Sequence, residues 1–289
     1  METTIKLFII GLGLIVFSSC ISDDDGEDLP VVDEKFISDL GQKYFQSLSF
    51  DDPAAFNVEN WIQLTDEDVV SNDPWGSPAK NGHQDLRDWS AGLITGFGAI
   101  NFTVNASFVA AERVAIYWTS SARDPAGNPF EFSGIDVFEV NNRGTIAEIE
   151  GYWIADPTVP IAEEVIAAGQ NYFQTLNFAD PNTFDVEKWI ATMDKDVVVN
   201  DAYGSPERIG HEAQRRFSQG LLGSGMQAIE FTIDFQVASG NRTAIKWTAT
   251  ADFGPGASIS WDGIDVLEVN AAGKITKVFG YWDESVFGS

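Results

Sequence analysis

The chain has 289 residues, 44% of them hydrophobic and 12% aromatic, which is enough to build a sizeable core. It carries 44 acidic and 17 basic residues, for a formal net charge of −27. Nucleic-acid binding needs a basic surface, so this charge argues against it, and it also disfavours adhesion to anionic lipid through a basic face. Solubility is the simplest consequence of such an acidic excess.

The N-terminus has the form of a signal peptide. Lys6 precedes an apolar run, Leu7–Phe17, that is shorter than the roughly 18 residues needed to span a bilayer. Two serines and the chain's only cysteine, Cys20, follow. This pattern resembles a bacterial lipoprotein signal, whose cysteine becomes the lipidated first residue; an ordinary secretory signal is the alternative. We predict a signal peptide over residues 1–19 and, through Cys20, a lipid anchor in the outer membrane of the cell envelope.

An acidic segment follows the cysteine. Residues 20–33 contain few apolar side chains, so they are predicted to form a disordered tether. A serine and an acidic triplet directly after Cys20 resemble the surface-export tag of some Gram-negative lipoproteins, so an outward-facing anchor is one of the two orientations left open. A single cysteine also excludes an intramolecular disulfide and a cysteine-based metal site.

The remainder of the chain is a tandem repeat. Tyr44-Phe-Gln-Ser-Leu48 returns about 128 residues later as Tyr172-Phe-Gln-Thr-Leu176, and Gly134-Ile-Asp136 returns as Gly263-Ile-Asp265. One residue has been inserted in the second copy between His211 and Phe231. This period far exceeds that of solenoids, so each copy is predicted to be a domain, residues 34–156 and 160–289, joined at Asp156–Pro160.

Each copy places its helices before its strands. Ile37, Leu40, Tyr44 and Leu48 recur at helical spacing, Phe56–Leu64 is predicted to be a second short helix, and a third starts at Gly82. Strand-like segments follow as a meander, and Asn141–Gly144 is predicted to be a hairpin turn with the glycine that a positive φ favours. This order predicts an α+β fold.

Three polar positions recur in both copies and are the candidate catalytic residues. A tyrosine lies on the apolar stripe of the first helix, an aspartate enters a glycine turn, and a second aspartate shares a strand face with apolar residues. A carboxyl among apolar neighbours is expected to have a raised pKa and to donate a hydrogen bond. The six positions are Tyr44, Asp73 and Asp136 in the first copy and Tyr172, Asp201 and Asp265 in the second.

Two further types of residue have alternative interpretations. Trp118 and Trp247 are predicted to face inward, because the alternating position is Tyr117 in one copy and Lys246 in the other; each forms either a pocket wall or part of the core. His83 and His211 are helix-start residues, either on the surface or as a further acid or base in the pocket. One histidine per copy is too few for a metal site, so neither metal nor cofactor is predicted.

These positions resemble the ketosteroid isomerase branch of the NTF2-like superfamily, which also includes the SnoaL-like polyketide cyclases. The resemblance rests on the tyrosine of the first helix, on Asp68-Val-Val-Ser-Asn-Asp73 before a Gly-Ser-Pro turn, and on Gly-Ile-Asp-Val in a late strand. It implies tandem cones, each a curved, antiparallel-rich sheet wrapped around about three helices. It also implies that Asp73 and Asp201 are proton-transfer bases, and that the tyrosine and the protonated strand aspartate form an oxyanion hole.

Two functions follow from this resemblance. The first is an isomerase or cyclase of the steroid Δ-isomerase or SnoaL-like kind, acting on an apolar carbonyl compound with a pocket in each copy. The second is a non-catalytic lipoprotein that binds a small apolar ligand or a partner protein at the cell envelope. Members of the superfamily often dimerise through their sheets, so the two copies are also predicted to form an intramolecular pseudo-dimer. All three polar positions recur in both copies although neighbouring residues differ, and a buried carboxyl without a use is costly when charged and unpaired. Each copy is therefore predicted to keep a working pocket.

Overall fold

The computed structural model describes residues 30–154 and 162–287, and each repeat has the same order of elements. The first repeat consists of α1 (Glu34–Leu48), α2 (Val58–Ile62), β1 (Thr65–Asn72), β2 (Lys80–Asn81), α3 (Gly82–Gly96), β3 (Ala99–Ala110), β4 (Arg113–Arg123), β5 (Pro129–Val140) and β6 (Ile146–Trp153). The second consists of α4 (Glu163–Leu176), α5 (Val186–Ile190), β7 (Met193–Asn200), β8 (Arg208–Ile209), α6 (Gly210–Gly223), β9 (Ala228–Ser239), β10 (Arg242–Asp252), β11 (Ser258–Val269) and β12 (Ile275–Trp282).

Each repeat has one six-stranded sheet, in the order β2-β1-β6-β5-β4-β3 and β8-β7-β12-β11-β10-β9. Strands β3 to β6 form an antiparallel meander, while β1 pairs with β6 in parallel, and β9 to β12 and β7 repeat this arrangement. The α+β prediction is therefore confirmed, as an open mixed sheet with helices in each repeat.

The helices of each repeat cover one face of its sheet. All four residues of the predicted stripe on α1 are buried, and the carboxylate of Asp33 caps this helix by accepting a hydrogen bond from the Phe36 N–H. Asp33, which was assigned to the tether, therefore belongs to the folded domain. The predicted hairpin turn after β5 is present, with Gly144 at φ 78°.

The opposite faces of the two sheets pack against each other. Their shared apolar cluster includes Ile135 and Val137 from one repeat and Ile264 and Val266 from the other. Lys246 also lies on this face and is only 6% exposed, so the position taken to be the outer one is buried between the repeats. Both faces of the central strands are therefore interior, which alternation within one strand could not reveal.

The predictions for the N-terminus and for the junction between the repeats concern residues outside those described. The signal peptide, Cys20, most of the tether and the Asp156–Pro160 junction are among them, so the domain boundaries and the lipid anchor stay predictions. Within residues 30–154 and 162–287, no helix is both long enough and apolar enough to cross a membrane.

Candidate functional site

The first aspartate of each repeat lies directly over a glycine of the neighbouring strand. Asp73 follows β1, and its turn is attached to β6 by a 2.7 Å hydrogen bond from the Trp75 N–H to the Gly151 carbonyl; the Tyr203 N–H and the Gly280 carbonyl form the same bond at 2.6 Å. A Cβ on Gly151 would overlap the Asp73 carboxylate, and a Cβ on Gly280 would overlap that of Asp201. Each glycine therefore leaves the space that its aspartate occupies.

The second aspartate lies beside the first, across the same glycine. Asp136 on β5 is in register with Gly151 on β6, and Asp265 is in register with Gly280. Since the Asp73 carboxylate lies over Gly151, three adjacent strands bring the two acids together. The sequence predicted both aspartates, and the sheet register explains why they are neighbours.

A tryptophan donates a hydrogen bond to the carboxylate of each strand aspartate. The Trp118 indole N–H donates to Asp136 Oδ1, and that of Trp247 to Asp265 Oδ1, both at 2.9 Å. Trp118 and Trp247 are therefore buried partners of the strand aspartates. The missing side chain of Gly134 leaves room for the Trp118 ring, and that of Gly263 leaves room for the Trp247 ring.

The partners of the turn aspartates were missed from the sequence. The Trp153 indole N–H donates to Asp73 Oδ1, and that of Trp282 donates to Asp201 Oδ1 at 2.6 Å. A signal was present, because Gly151-Tyr-Trp153 returns as Gly280-Tyr-Trp282.

The surroundings of the strand aspartates favour their neutral form. Burial, reinforced by the charge of Asp73, raises the pKa of Asp136 well above its usual range, while the Trp118 hydrogen bond opposes the shift. Burial and the charge of Asp201 raise the pKa of Asp265 in the same way, with Trp247 and Arg208 opposing. Because the indole occupies Oδ1, Oδ2 is free to carry the proton and donate it.

The tyrosines supply a second neutral donor. Burial, followed by the charges of Asp73 and Asp136, raises the pKa of Tyr44 well above its usual value; burial and then Asp201 and Asp265 do the same for Tyr172. A tyrosine with a raised pKa stays protonated and can donate a hydrogen bond.

In repeat 2 these three groups line one cavity of about 580 Å³. Tyr172 comes from α4, Asp201 from the turn after β7 and Asp265 from β11, so the groups reach the cavity from three elements. The other walls are mainly apolar and include Phe173, Leu176, Phe231, Trp247, Trp261 and Trp282. This volume lies within the roughly 300–1,000 Å³ typical of small-molecule sites.

In repeat 1 the corresponding space is almost filled. It measures about 40 Å³ and is lined by Asp73 and Asp136 but not by Tyr44. A space of this size holds a few water molecules at most, since each needs about 10–15 Å³ of cavity volume, and it is too small for a drug-sized ligand. A ligand-sized cavity is therefore present in repeat 2, whereas the corresponding space of repeat 1 is too small for one; that the pocket of repeat 2 works stays a prediction.

A cation lies next to each turn aspartate. Arg208 Nη1 donates to the Asp201 backbone carbonyl at 2.8 Å, its Nη2 is 3.6 Å from Asp201 Oδ2, and the guanidinium lies 4.1 Å from the Phe217 ring centroid. In repeat 1, Lys80 donates to the Asp73 carbonyl; burial lowers the pKa of Lys80, and the Asp73 charge opposes this.

The histidines take no part in either site. Nε2 of His83 is 3.2 Å from the Thr65 carbonyl oxygen, and Nε2 of His211 is 3.2 Å from that of Met193, so each ring links a helix start to a strand. Neither lines the cavity of its repeat. In the part of the chain that the structure describes, no group of three His, Cys, Asp or Glu side chains could hold a metal ion.

Each repeat has an open mixed sheet, three α-helices on one face of it, and a buried tyrosine with two aspartates. These features define an NTF2-like α+β domain, which is present here twice. The family model of the SnoaL-like domain matches residues 43–149 and again residues 170–278. The chain therefore belongs to the SnoaL-like domain family and carries two copies of it.

Several solved structures are similar to this chain. RV0760c from Mycobacterium tuberculosis, in complex with estradiol-17beta-hemisuccinate, is 21% identical with a TM-score of 0.37, and the match covers 42% of this chain and 95% of that one. SalBIII, an epoxide hydrolase/cyclase-like enzyme with a role in pyran ring formation in the polyether salinomycin, is 17% identical with a TM-score of 0.37. The match covers 43% of this chain and 94% of that one. An NTF2-like protein of unknown function from Exiguobacterium sp. 255-15 is 20% identical with a TM-score of 0.34, over 40% and 98%. No curated protein matches the chain.

Proposed function

We propose that repeat 2 binds an apolar carbonyl compound and transfers a proton on it, in the manner of an isomerase or cyclase. The observation that carries this proposal is the convergence of Tyr172, Asp201 and Asp265 on one apolar cavity of about 580 Å³. A buried site with few polar groups selects an apolar ligand whose oxygen meets those groups.

The proposed chemistry divides the three groups by charge. Neutral Asp265 and Tyr172 donate hydrogen bonds to the carbonyl oxygen and stabilise the negative charge that forms there. Ionised Asp201 removes a proton from the carbon next to the carbonyl, giving an enolate, and returns that proton to another carbon of the conjugated system. The electron pair moves through the enolate, so no oxidant or reductant is required.

A second candidate is non-catalytic binding of a small apolar ligand. The observation that favours it is that Asp201 already has two polar partners, the Trp282 indole and the Arg208 guanidinium. A carboxylate held in this way can serve the structure alone. Capture of an apolar ligand needs the cavity but no proton transfer.

The test compares two matched variants. The substrate is an apolar β,γ-unsaturated ketone, whose conversion to the conjugated ketone is followed by ultraviolet absorbance. Asp201→Asn should lower turnover by about 10²–10⁴-fold, the usual contribution of general acid–base catalysis, whereas Asp73→Asn in the filled repeat should change it by less than about twofold.

Binding is measured in parallel by quenching of tryptophan fluorescence, since Trp247, Trp261 and Trp282 line the cavity. Binding without turnover in the wild type would support the second candidate. Equal losses in both aspartate variants, or neither binding nor turnover across a series of such ketones, would contradict the proposal for repeat 2.

We also propose that the protein is lipid-anchored through Cys20 to the outer membrane. Support comes from the sequence alone: a short apolar run, two serines, a cysteine and an acidic tether. A palmitate analogue should label the wild type and not Cys20→Ala; labelling of both would refute the anchor. Protease digestion of intact cells then separates an outward-facing anchor from an inward-facing one.

We further propose that the two repeats act as an intramolecular pseudo-dimer. The apolar cluster between the sheets supports this, as does Arg242 of repeat 2, whose Nη1 is 3.1 Å from Glu150 Oε2 of repeat 1. Cutting the chain at a protease site introduced between residues 156 and 160 should leave the two halves associated during gel filtration. Separation of the halves at micromolar concentration would contradict this arrangement.

A further inference from the structure

The turn that carries Asp73 is held by the other repeat. The Arg242 guanidinium stacks on the Trp75 ring with its carbon 3.6 Å from the ring centroid. The Ser239 hydroxyl donates to the Trp75 carbonyl at 2.7 Å, and the Trp75 indole donates to Asn241 Oδ1 at 3.2 Å. Repeat 2 thus contacts the backbone and the side chain of a residue only two positions from Asp73.

The turn that carries Asp201 is contacted reciprocally. Arg113 of repeat 1 lies 5.1 Å from the Tyr203 ring centroid, and Tyr203 stacks on Tyr281 of its own repeat at 5.5 Å and 18°. A Cβ on Gly204 would lie 2.8 Å from the Ala111 Cβ, so the Asp201 turn is in close contact with the turn between β3 and β4 of repeat 1. The Tyr203 ring is therefore enclosed between its own sheet and an arginine of the other repeat.

Arg113 is itself fixed in direction. Its Nη2 is 2.6 Å from Glu139 Oε2 and 2.7 Å from Glu148 Oε2, and both glutamates belong to the sheet of repeat 1. Its Nη1 is also 3.8 Å from Glu150, the buried carboxylate that pairs with Arg242. The position equivalent to Glu150 in repeat 2 is Phe279, so one carboxylate serves both arginines. A guanidinium held by three carboxylates presents a fixed face to Tyr203.

We propose that Arg113 of repeat 1 is a positioning residue for Asp201 of repeat 2, acting through the Tyr203 ring. Asp201 is two residues from Tyr203. The Tyr203 N–H is bonded to the carbonyl of Gly280, and the Asp201 carboxylate occupies the space where a side chain of Gly280 would be. Fixing the ring therefore fixes the turn and the direction of the carboxylate. The inference rests on the proposed function of repeat 2, and it gives the filled repeat a role as a support for the open one.

The test is hydrogen exchange of residues 199–206 in the ligand-free, full-length protein. Arg113→Met removes the cation, and Tyr203→Leu removes the ring while leaving the ion pairs of Arg113 intact. Both should speed exchange in this segment about tenfold, the loss expected for a partly desolvated cation–π contact. Exchange in β10 to β12 should be unchanged. Ser239→Ala is the matched control, because it loosens the Trp75 turn and should leave residues 199–206 as they are.

Turnover of the ketone supplies a readout that a merely structural role would not change. Tyr203→Leu should lower kcat about tenfold with KM unchanged, because the base is misplaced while the apolar walls are intact. Unchanged exchange at residues 199–206, acceleration throughout repeat 2, or local acceleration with unchanged kcat would each overturn the proposal. If the wild type shows no turnover, the proposed function fails, and exchange alone decides whether Arg113 holds the turn.

Discussion

Repeat 1 and repeat 2 share the same polar framework and enclose different volumes. Both have a turn aspartate bonded to a tryptophan, a strand aspartate bonded to another, and two glycines that make room for them. Yet the cavity measures about 40 Å³ in one and about 580 Å³ in the other. The framework alone therefore does not make a pocket.

The two repeats differ in three side chains at one end of this space. In repeat 1, Phe97, Phe130 and Phe132 stack on one another with ring centroids 5.8–6.1 Å apart. In repeat 2 the same positions hold Met226, Ile259 and Trp261, all of which line the open cavity. We call the three phenylalanines the aromatic plug. Repeat 2 therefore has no equivalent of this stacked cluster beside its cavity.

The inserted residue of repeat 2 lies at the same end. Leu93 matches Leu221, but Ile100 matches Ile229, and these two isoleucines make equivalent bridges to Phe50 and Phe178. The extra residue therefore falls after Leu221, where α6 ends at Gly223 and Ser224 caps it. Ser224 and Gly225 line the cavity, so the insertion lies in its wall, next to Met226.

Repeat 1 retains its buried strand aspartate, Asp136, although the space that it lines is too small for a ligand. Survival of Asp136 was expected to indicate a working pocket, because an unpaired buried carboxyl is costly. In repeat 1 the carboxyl is neither unpaired nor open to a ligand-sized space, since Trp118 donates to it and the space beside it measures only about 40 Å³. A satisfied hydrogen bond is therefore enough to explain its retention there.

The largest expected effect comes from building the plug into repeat 2. Met226→Phe with Ile259→Phe should weaken binding of 2-naphthol, an apolar phenol used as a probe, by more than about 100-fold, or about 2.7 kcal/mol, because the rings fill its space. A fluorescence titration measures this. The reciprocal control, Phe97→Met with Phe130→Ile, should leave the affinity of repeat 2 unchanged. Equal binding in the plugged variant would show that the probe binds elsewhere.

The next largest effect is the loss of stability when the tryptophan donor of a turn aspartate is removed, and it should differ between Asp73 and Asp201. Trp153→Phe leaves the Asp73 carboxylate buried without its donor and should cost about 2 kcal/mol of the free energy of unfolding, within the usual 1–3 kcal/mol range. Trp282→Phe should cost about half as much, because the Asp201 side chain is 20% exposed and lies near Arg208. Urea denaturation measures both losses. A larger loss from Trp282→Phe would reverse the comparison.

The smallest expected difference between the repeats concerns the dependence of stability on pH. Burial, more than the neighbouring aspartate charge, raises the pKa of Asp136 and of Asp265. Below the unfolded pKa of about 3.9 both states are protonated and the stabilisation is complete. As the pH rises toward the folded pKa, only the unfolded state ionises, so stability falls by up to about 1.4 kcal/mol per pH unit and group.

Asp136→Asn and Asp265→Asn should each flatten this decline, measured as the free energy of unfolding between pH 4 and pH 8. Because burial is the largest cause of both shifts, the two variants should flatten it to a similar extent. An unchanged slope in either variant would show that its aspartate is ionised in the folded state.

Much of the site could be predicted from the sequence. Asp73 and Asp201 were found because each enters a recurring glycine turn, and Asp136 and Asp265 because each shares a strand face with apolar residues. Trp153 and Trp282 were missed although they recur, because the bond joins the end of β6 to a turn about 80 residues earlier. Contacts between distant segments leave no periodic pattern within one strand.

The sequence by itself determined the duplication, the order of helices and strands, and the polar residues of each cone, because these depend on local periodicity and on the comparison of the two copies. Only the tertiary structure decided which cone is open, because a cavity is a small difference between the volume of a frame and that of the side chains filling it. It also decided that Lys246 is buried and that Arg113 reaches Tyr203, since both depend on how the two sheets pack. No pattern along a single strand records the face that another domain will cover.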